Sequence, residues 1–173
     1  MKDAFLAKQL LDGDAEALQQ IYHLYKHDLL TVAMSLLGHL HAAEDCVHDV
    51  FTQFASATDH LEVIQNLRGY LMRCVANRAK NMLKQQQVRH AYRDRKAHLR
   101  DHPETPAGRL IATEESLHVF KALNKLPVEQ REVITLHLHG NMTFREIALQ
   151  LGLSINTIQS RYQYGIQKLK TLL

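Results

Sequence analysis

Residues 143–170 read TFREIALQLGLSINTIQSRYQYGIQKLK, and this stretch decides the fold. Thr143-Phe144-Arg145-Glu146 has the T-x-x-E spacing of a capping box. The Thr143 hydroxyl can accept from the Glu146 amide while the Glu146 carboxylate reaches back, so two helix-start donors are satisfied together. Met142 and Ile147 stand at hydrophobic-staple spacing around it. A helix therefore starts at Thr143, with Ile147, Ala148 and Leu151 as its inner face. Gly152 permits the left-handed backbone of a sharp turn, and Ser154 is an N-cap for a further helix. On that helix Ile158, Tyr162, Ile166 and Leu169 recur at steps of four and three. Helix, glycine turn and capped second helix make a helix-turn-helix.

The second helix of such a unit enters the major groove with its first residues against base edges. Here those residues are Asn156, Thr157, Gln159, Ser160 and Arg161, followed by Gln163 and Tyr164. Amides can pair bidentately with adenine and a guanidinium with guanine. A hairpin that served only to pack a core would need no such outward face.

Upstream, residues 114–126 have helical spacing, Pro127 suits the first turn of the next helix, and Val133, Ile134, Leu136 and Leu138 supply core. Gly140 and Asn141 stop that helix. Residues 113–173 thus form one small domain. Residues 88–112, poor in apolar groups and holding Pro103, Pro106 and Gly108, form a linker that can begin as helix.

Residues 1–87 form a second unit. Two helices over 3–37 meet at Gly13, with Asp14 as N-cap and Leu18, Ile21, Tyr22, Tyr25, Leu29 and Ala33 as one buried stripe. Gly38 suits the C′ position. A third helix over 41–57 sets Val47, Val50, Phe51 and Phe54 against an acidic face of Glu44, Asp45 and Asp49. A loop spans 58–66. A fourth helix, capped by Asn66 and running to about Gln87, turns Leu67, Leu71, Cys74, Val75, Ala79 and Met82 inward. Its outer side carries Arg68, Arg73, Asn77, Lys80, Asn81 and Lys84. The fold class is all-α: two small helical domains joined by a flexible linker.

Charge divides along the same lines. Residues 1–60 hold 3 Lys/Arg against 9 Asp/Glu, whereas residues 61–101 hold 10 against 3, within a chain of net charge +3. An acidic start and a basic middle point to two partners of opposite character, with nucleic acid the candidate for the basic stretch. No run reaches the roughly 18 apolar residues of a membrane span, and residues 1–11 lack a signal peptide's apolar stretch, so no membrane insertion and a cytoplasmic location are expected. Cys46 and Cys74 read as reduced core thiols. Twelve histidines include the pairs His39/His41 and His137/His139, but no third ligand stands at metal-site spacing; they read as solvated side chains near helix ends. There is no nucleophile–base pair and no glycine-rich phosphate loop, so neither an enzyme nor a cofactor or metal is expected.

The segment LPVEQREVITLHLHGNMTFREIALQLGLSINTIQSRYQYGIQKLK resembles region four of the extracytoplasmic-function (ECF) sigma factors of bacterial RNA polymerase. GDAEALQQIYHLY and AEDCVHDVF resemble the start of their region two, and LRGYLMRCVANRAKNMLKQQQ its promoter-binding helix. The resemblance implies a subunit that brings core polymerase to promoters. It implies that Glu44, Asp45, Asp49 and Gln53 dock on a β′ coiled coil, and that the second domain engages the β flap. Arg68, Tyr70, Arg73, Asn77, Arg78, Lys80, Asn81 and Lys84 would face the minus-ten element, and loop 58–66 would capture a flipped base. Arg145, Ser154, Asn156, Thr157, Gln159, Ser160, Arg161, Gln163 and Tyr164 would read the minus-thirty-five element as duplex. It also admits an anti-sigma factor as partner. Departures from the family pattern are the absence of tryptophan, with Tyr70 at the comparable place, an acidic loop (Asp59, Glu62), a charge-rich linker, and a less basic recognition helix at Gln159 and at Tyr164 to Gln167. Two alternatives share the helix-turn-helix: a decoy that binds an anti-sigma factor and no DNA, and a conventional dimeric regulator.

Overall fold

Eight helices carry the described part of the chain in a computed structural model that describes residues 2–12, 14–56, 66–93 and 114–173. They are α1 (Lys2–Leu11), α2 (Ala15–Leu37), α3 (Leu40–Ser56), α4 (Leu67–Arg93), α5 (Glu114–Asn124), α6 (Val128–Leu138), α7 (Phe144–Leu151) and α8 (Ile155–Leu172). The architecture is all-α, and no strand occurs among the described residues. Among them, no helix is long and apolar enough to cross a membrane.

The caps form as the sequence dictates. Asp14 Oδ1 accepts from the Glu16 amide at 2.8 Å, and Gly38 ends α2 with φ 77°. Asn66 Oδ1 accepts from the Gly69 amide at 2.8 Å and starts α4. Thr143 and Glu146 make the full capping box, Gly152 turns with φ 65°, and Ser154 caps α8. Pro127 differs: it is the N-cap of α6, one residue before the first turn, with extended backbone (ψ 143°). Its ring fixes φ near the value found there, and it has no amide to leave unpaired. Residues 88–93 continue α4 as helix. The rest of the linker, residues 94–112, and residues 58–65 of the loop lie outside the described residues, as do their neighbours 57 and 113.

In the first domain α2 packs on α1, α3 and α4. Phe51 contacts Tyr22 edge-on with ring centroids 4.9 Å apart. Met72 and Ala76 of α4 are fully buried beside the expected Leu67, Leu71, Val75 and Ala79, so the inner face of α4 is wider than one stripe. The same holds for the end of α2. Leu30, Val32, Met34, Ser35, Leu36 and Leu37 are all buried in addition to the expected residues. A helix apolar all round must be covered all round. The second cover comes from the second domain: α5 and α6 pack on α2, and one continuous apolar core runs through both domains.

In the second domain α6 and α8 pack most extensively, with α7 across them. Gly165 of α8 is buried against α6, where a Cβ would lie 2.6 Å from Ile134 Cδ1. Leu138, expected in the core, is half exposed, because it lies at the very end of α6 where the helix leaves the bundle. Asn141, with φ 51°, completes the stop begun at Gly140.

Candidate nucleic-acid interface

Helix α8 presents the expected outer face. Asn156, Gln159, Ser160, Gln163 and Tyr164 are exposed, and Thr157 and Arg161 are half-buried at its edge. Its seat is an aromatic cluster that periodicity alone did not reveal. His137 of α6 stacks on Phe144 of α7 at 4.4 Å, and Tyr162 of α8 meets both rings at 5.1 Å. His137 Nδ1 lies 2.7 Å from the Met142 carbonyl. His137 is therefore a packing residue and not a solvated one, as its spacing from Phe144 and Tyr162 in sequence could not tell. Ser154 and Thr157 spend their hydroxyls on capping: Ser154 Oγ accepts from the Thr157 amide at 3.1 Å and lies 2.8 Å from Thr157 Oγ1. The side-chain amides, Ser160, Arg161 and Tyr164 of this face take no part in that capping. Arg145 on α7 is exposed.

On α4, Arg73, Asn77, Asn81 and Lys84 lie exposed at steps of four, four and three, and form an open cationic and amide stripe. Three further residues of the expected minus-ten set are engaged within the protein. Arg78 Nε and Nη2 donate to Asp49 Oδ2, at 2.9 and 2.5 Å. This pair ties α4 to α3 and brings together two residues that the sequence assigns to different partners. It borders a groove between α3 and α4 that Asp45 and His48 also line. Asp45 and Gln53 are exposed and Glu44 is half-buried, so the acidic edge of α3 remains open. Lys80 and Arg68 point into the seam between the domains. Lys80 Nζ lies 2.7 Å from Glu132 Oε1, an ion pair by distance without the alignment of a hydrogen bond. Arg68 donates to Asp28 Oδ2 at 2.9 and 3.1 Å, to the Gly140 carbonyl at 2.6 Å and to the His139 carbonyl at 3.1 Å. Glu132 and Asp28 had no signal in the sequence.

Burial sets the titration of several neighbours. The Cys46 thiol, fully enclosed and donating toward the Val75 carbonyl, is pushed up to about 12, with the Arg78 cation pulling the other way. Burial and then the adjacent Cys74 raise Tyr70, whose ring also packs near Phe54. Both cysteines are free thiols. His139 is half-buried in the seam and held below its ordinary value by burial, partly offset by Asp28, so it too is not a solvated histidine.

An acidic helix edge, a basic helix and a capped helix-turn-helix stand in this order along one chain, and comparison with known proteins matches that order. Residues 21–89 match the family "Sigma-70 region 2", and residues 119–169 match "Sigma-70, region 4". The chain belongs to the sigma-70 family. The sigma factor is 28% identical over 175 residues to the RNA polymerase sigma factor NccH of Alcaligenes xylosoxydans xylosoxydans, covering 99% of this chain and 94% of that one. It is 22% identical to the ECF sigma factor SigW of Bacillus subtilis, with 94% and 92% covered. Among solved structures, CnrH in complex with the cytosolic domain of CnrY superposes with TM-score 0.73 at 26% identity, over 99% and 97% of the two chains. The sigma factor RpoE in complex with the anti-sigma factor NepR, from Bartonella quintana, superposes with TM-score 0.72 at 25% identity, over 89% and 94%. The chain is thus an ECF RNA polymerase sigma factor, a regulatory subunit of transcription initiation.

Proposed function

We propose that this sigma factor docks on core polymerase through the acidic edge of α3 (Glu44, Asp45, Asp49, Gln53) and contacts promoter DNA at two places. The α4 stripe takes the minus-ten element and the outer face of α8 reads the minus-thirty-five element. The observation that carries this reading is the pair of open polar faces, Arg73/Asn77/Asn81/Lys84 and Asn156/Gln159/Ser160/Gln163, on separate domains of one chain. Neither face packs a core, and each has the donor chemistry that phosphates and base edges require. Residues 1–87 would serve polymerase and the minus-ten element, 88–112 would tether, and 113–173 would read the minus-thirty-five duplex and meet the β flap. One structural neighbour was captured with the anti-sigma factor NepR and the other with the cytosolic domain of CnrY, which favours a protein partner of the anti-sigma kind for this chain as well. That partner fits a decoy too, but a decoy has no use for the α4 stripe.

The test is run-off transcription from a randomised promoter library with core polymerase and the full chain. Enriched promoters with two separated elements are expected. Neutralising Arg73 and Lys84 together should abolish their use. No promoter-specific transcripts, or failure of the chain to co-purify with core polymerase, would overturn the reading.

A further inference from the structure

Arg78 follows Asn77 of the open α4 stripe, and one residue turns a side chain about 100° around a helix. That turn takes Arg78 off the stripe and onto a second face of α4, which Met82 and Gln85 continue at steps of four and three. This face is one wall of the groove whose other wall, on α3, carries Asp45, His48 and Asp49. Arg78 is the one Lys or Arg among the described residues that line the groove, against two carboxylates. It is spent on one of them: Arg78 Nε and Nη2 both donate to Asp49 Oδ2. Two donors of one planar fork fix the Asp49 side chain, and because both meet Oδ2 the second oxygen, Oδ1, stays outside the pair. Water screens the contact incompletely, since both side chains are partly shielded. Asp45 stands four residues before Asp49, where like charges on a helix repel, and Arg78 offsets that repulsion. The groove thus holds one carboxylate at a set position beside a free, exposed one, over the thioether of Met82. Its remaining negative charge suits a partner helix that brings a cation.

We infer that Arg78 is a positioning residue for the docking of core polymerase and not a minus-ten contact: it holds Asp49 so that the open carboxylate oxygen and the neighbouring Asp45 together meet cationic side chains of the core. This rests on the reading of the α3 edge as the core-docking surface. Without Arg78 the Asp49 side chain turns freely, and ordering it again opposes docking.

The test separates core binding from DNA binding in the full chain. Labelled sigma factor is titrated with core polymerase at fixed ionic strength, and separately with a mixed-sequence single-stranded 20-mer; Tm is read by circular dichroism for every variant. Arg78→Gln is expected to weaken core binding about three- to tenfold, the scale of ordering one long side chain, and to leave single-strand binding unchanged. In an Asp49→Asn background the same change should have no further effect, because no carboxylate remains to be held. The swap Arg78→Asp/Asp49→Arg re-forms the ion pair but removes the positioned acceptor from α3. It should recover Tm relative to Arg78→Gln and still fail to recover core binding, whereas a mere brace would recover both. The inference is overturned if Arg78→Gln leaves core binding unchanged or tightens it, if its effect persists in Asp49→Asn, if the swap restores core binding, or if single-strand binding is what falls. The docking reading is checked apart from this by Asp45→Ala and Asp49→Asn: if neither weakens core binding, that reading is the one that fails.

Discussion

Gly165→Ala tests how α8 is seated. In an isolated helix the change should help, since glycine costs roughly 0.5–1 kcal/mol relative to alanine. In this protein the new Cβ would lie 2.6 Å from Ile134 Cδ1 and 3.2 Å from Gln130 Cβ. Ile134 is 1% exposed, so its methyl has no open space to enter. Forcing one carbon into a packed core costs roughly 1–3 kcal/mol. The net expectation is a loss of about 1–2 kcal/mol, or about 2–8 °C in Tm for a chain of this size. Ile134→Val removes the clashing Cδ1. Alone it should cost about 0.5–1.5 kcal/mol, but combined with Gly165→Ala it should relieve the clash, giving a favourable coupling of about 1 kcal/mol. Thermal and urea unfolding followed by far-ultraviolet circular dichroism would measure the cycle. If Gly165→Ala raises Tm, or if the two changes simply add, then α8 does not approach α6 as closely as described. The reasoning about its seat would then be wrong.

Three further outcomes are expected. Thr143→Ala should remove the hydroxyl half of the capping box and cost about 1 kcal/mol; because hydrogen bonds from the Thr143 backbone amide and then its hydroxyl hold the Glu146 carboxyl below its ordinary value, the carboxylate's own contribution is complete above the unfolded value of about 4.3 and is lost as pH falls through the lower folded value. A Tm series from pH 7 to 3 should show this acid limb in wild type and lack it in Glu146→Gln. Arg161→Ala should weaken binding of the selected minus-thirty-five duplex by roughly 1–3 kcal/mol, read by fluorescence anisotropy, with the discrimination between sequences reduced. Asp45→Ala with Asp49→Ala should impair co-purification with core polymerase while helicity is kept; because Arg78 loses its Asp49 partner, Asp49→Ala alone should also cost some stability, whereas Asp45→Ala alone should not.

The sequence by itself determined the local elements and the chemistry of the open faces. Capping boxes, glycine turns and helical spacing act within about four residues, so Thr143–Glu146, Gly152 and Ser154 could be read without any long-range information. The outer residues of α4 and α8 were legible for the same reason: a polar stripe opposite an apolar one is a property of one helix. The pairings across helices were not legible. Asp49 and Arg78 stand 29 positions apart and Arg68 and Gly140 stand 72 apart. Nothing local marks them as partners. His137 passed for a solvated residue because its ring partners lie on two other helices, and Gly165 shows its purpose only against Ile134. The buried Glu132 finds its counter-charge in a lysine from the other domain. Short-range hydrogen bonding writes helices and their exposed chemistry into the chain; which charges meet, and which are hidden, is decided only when the helices close on one another.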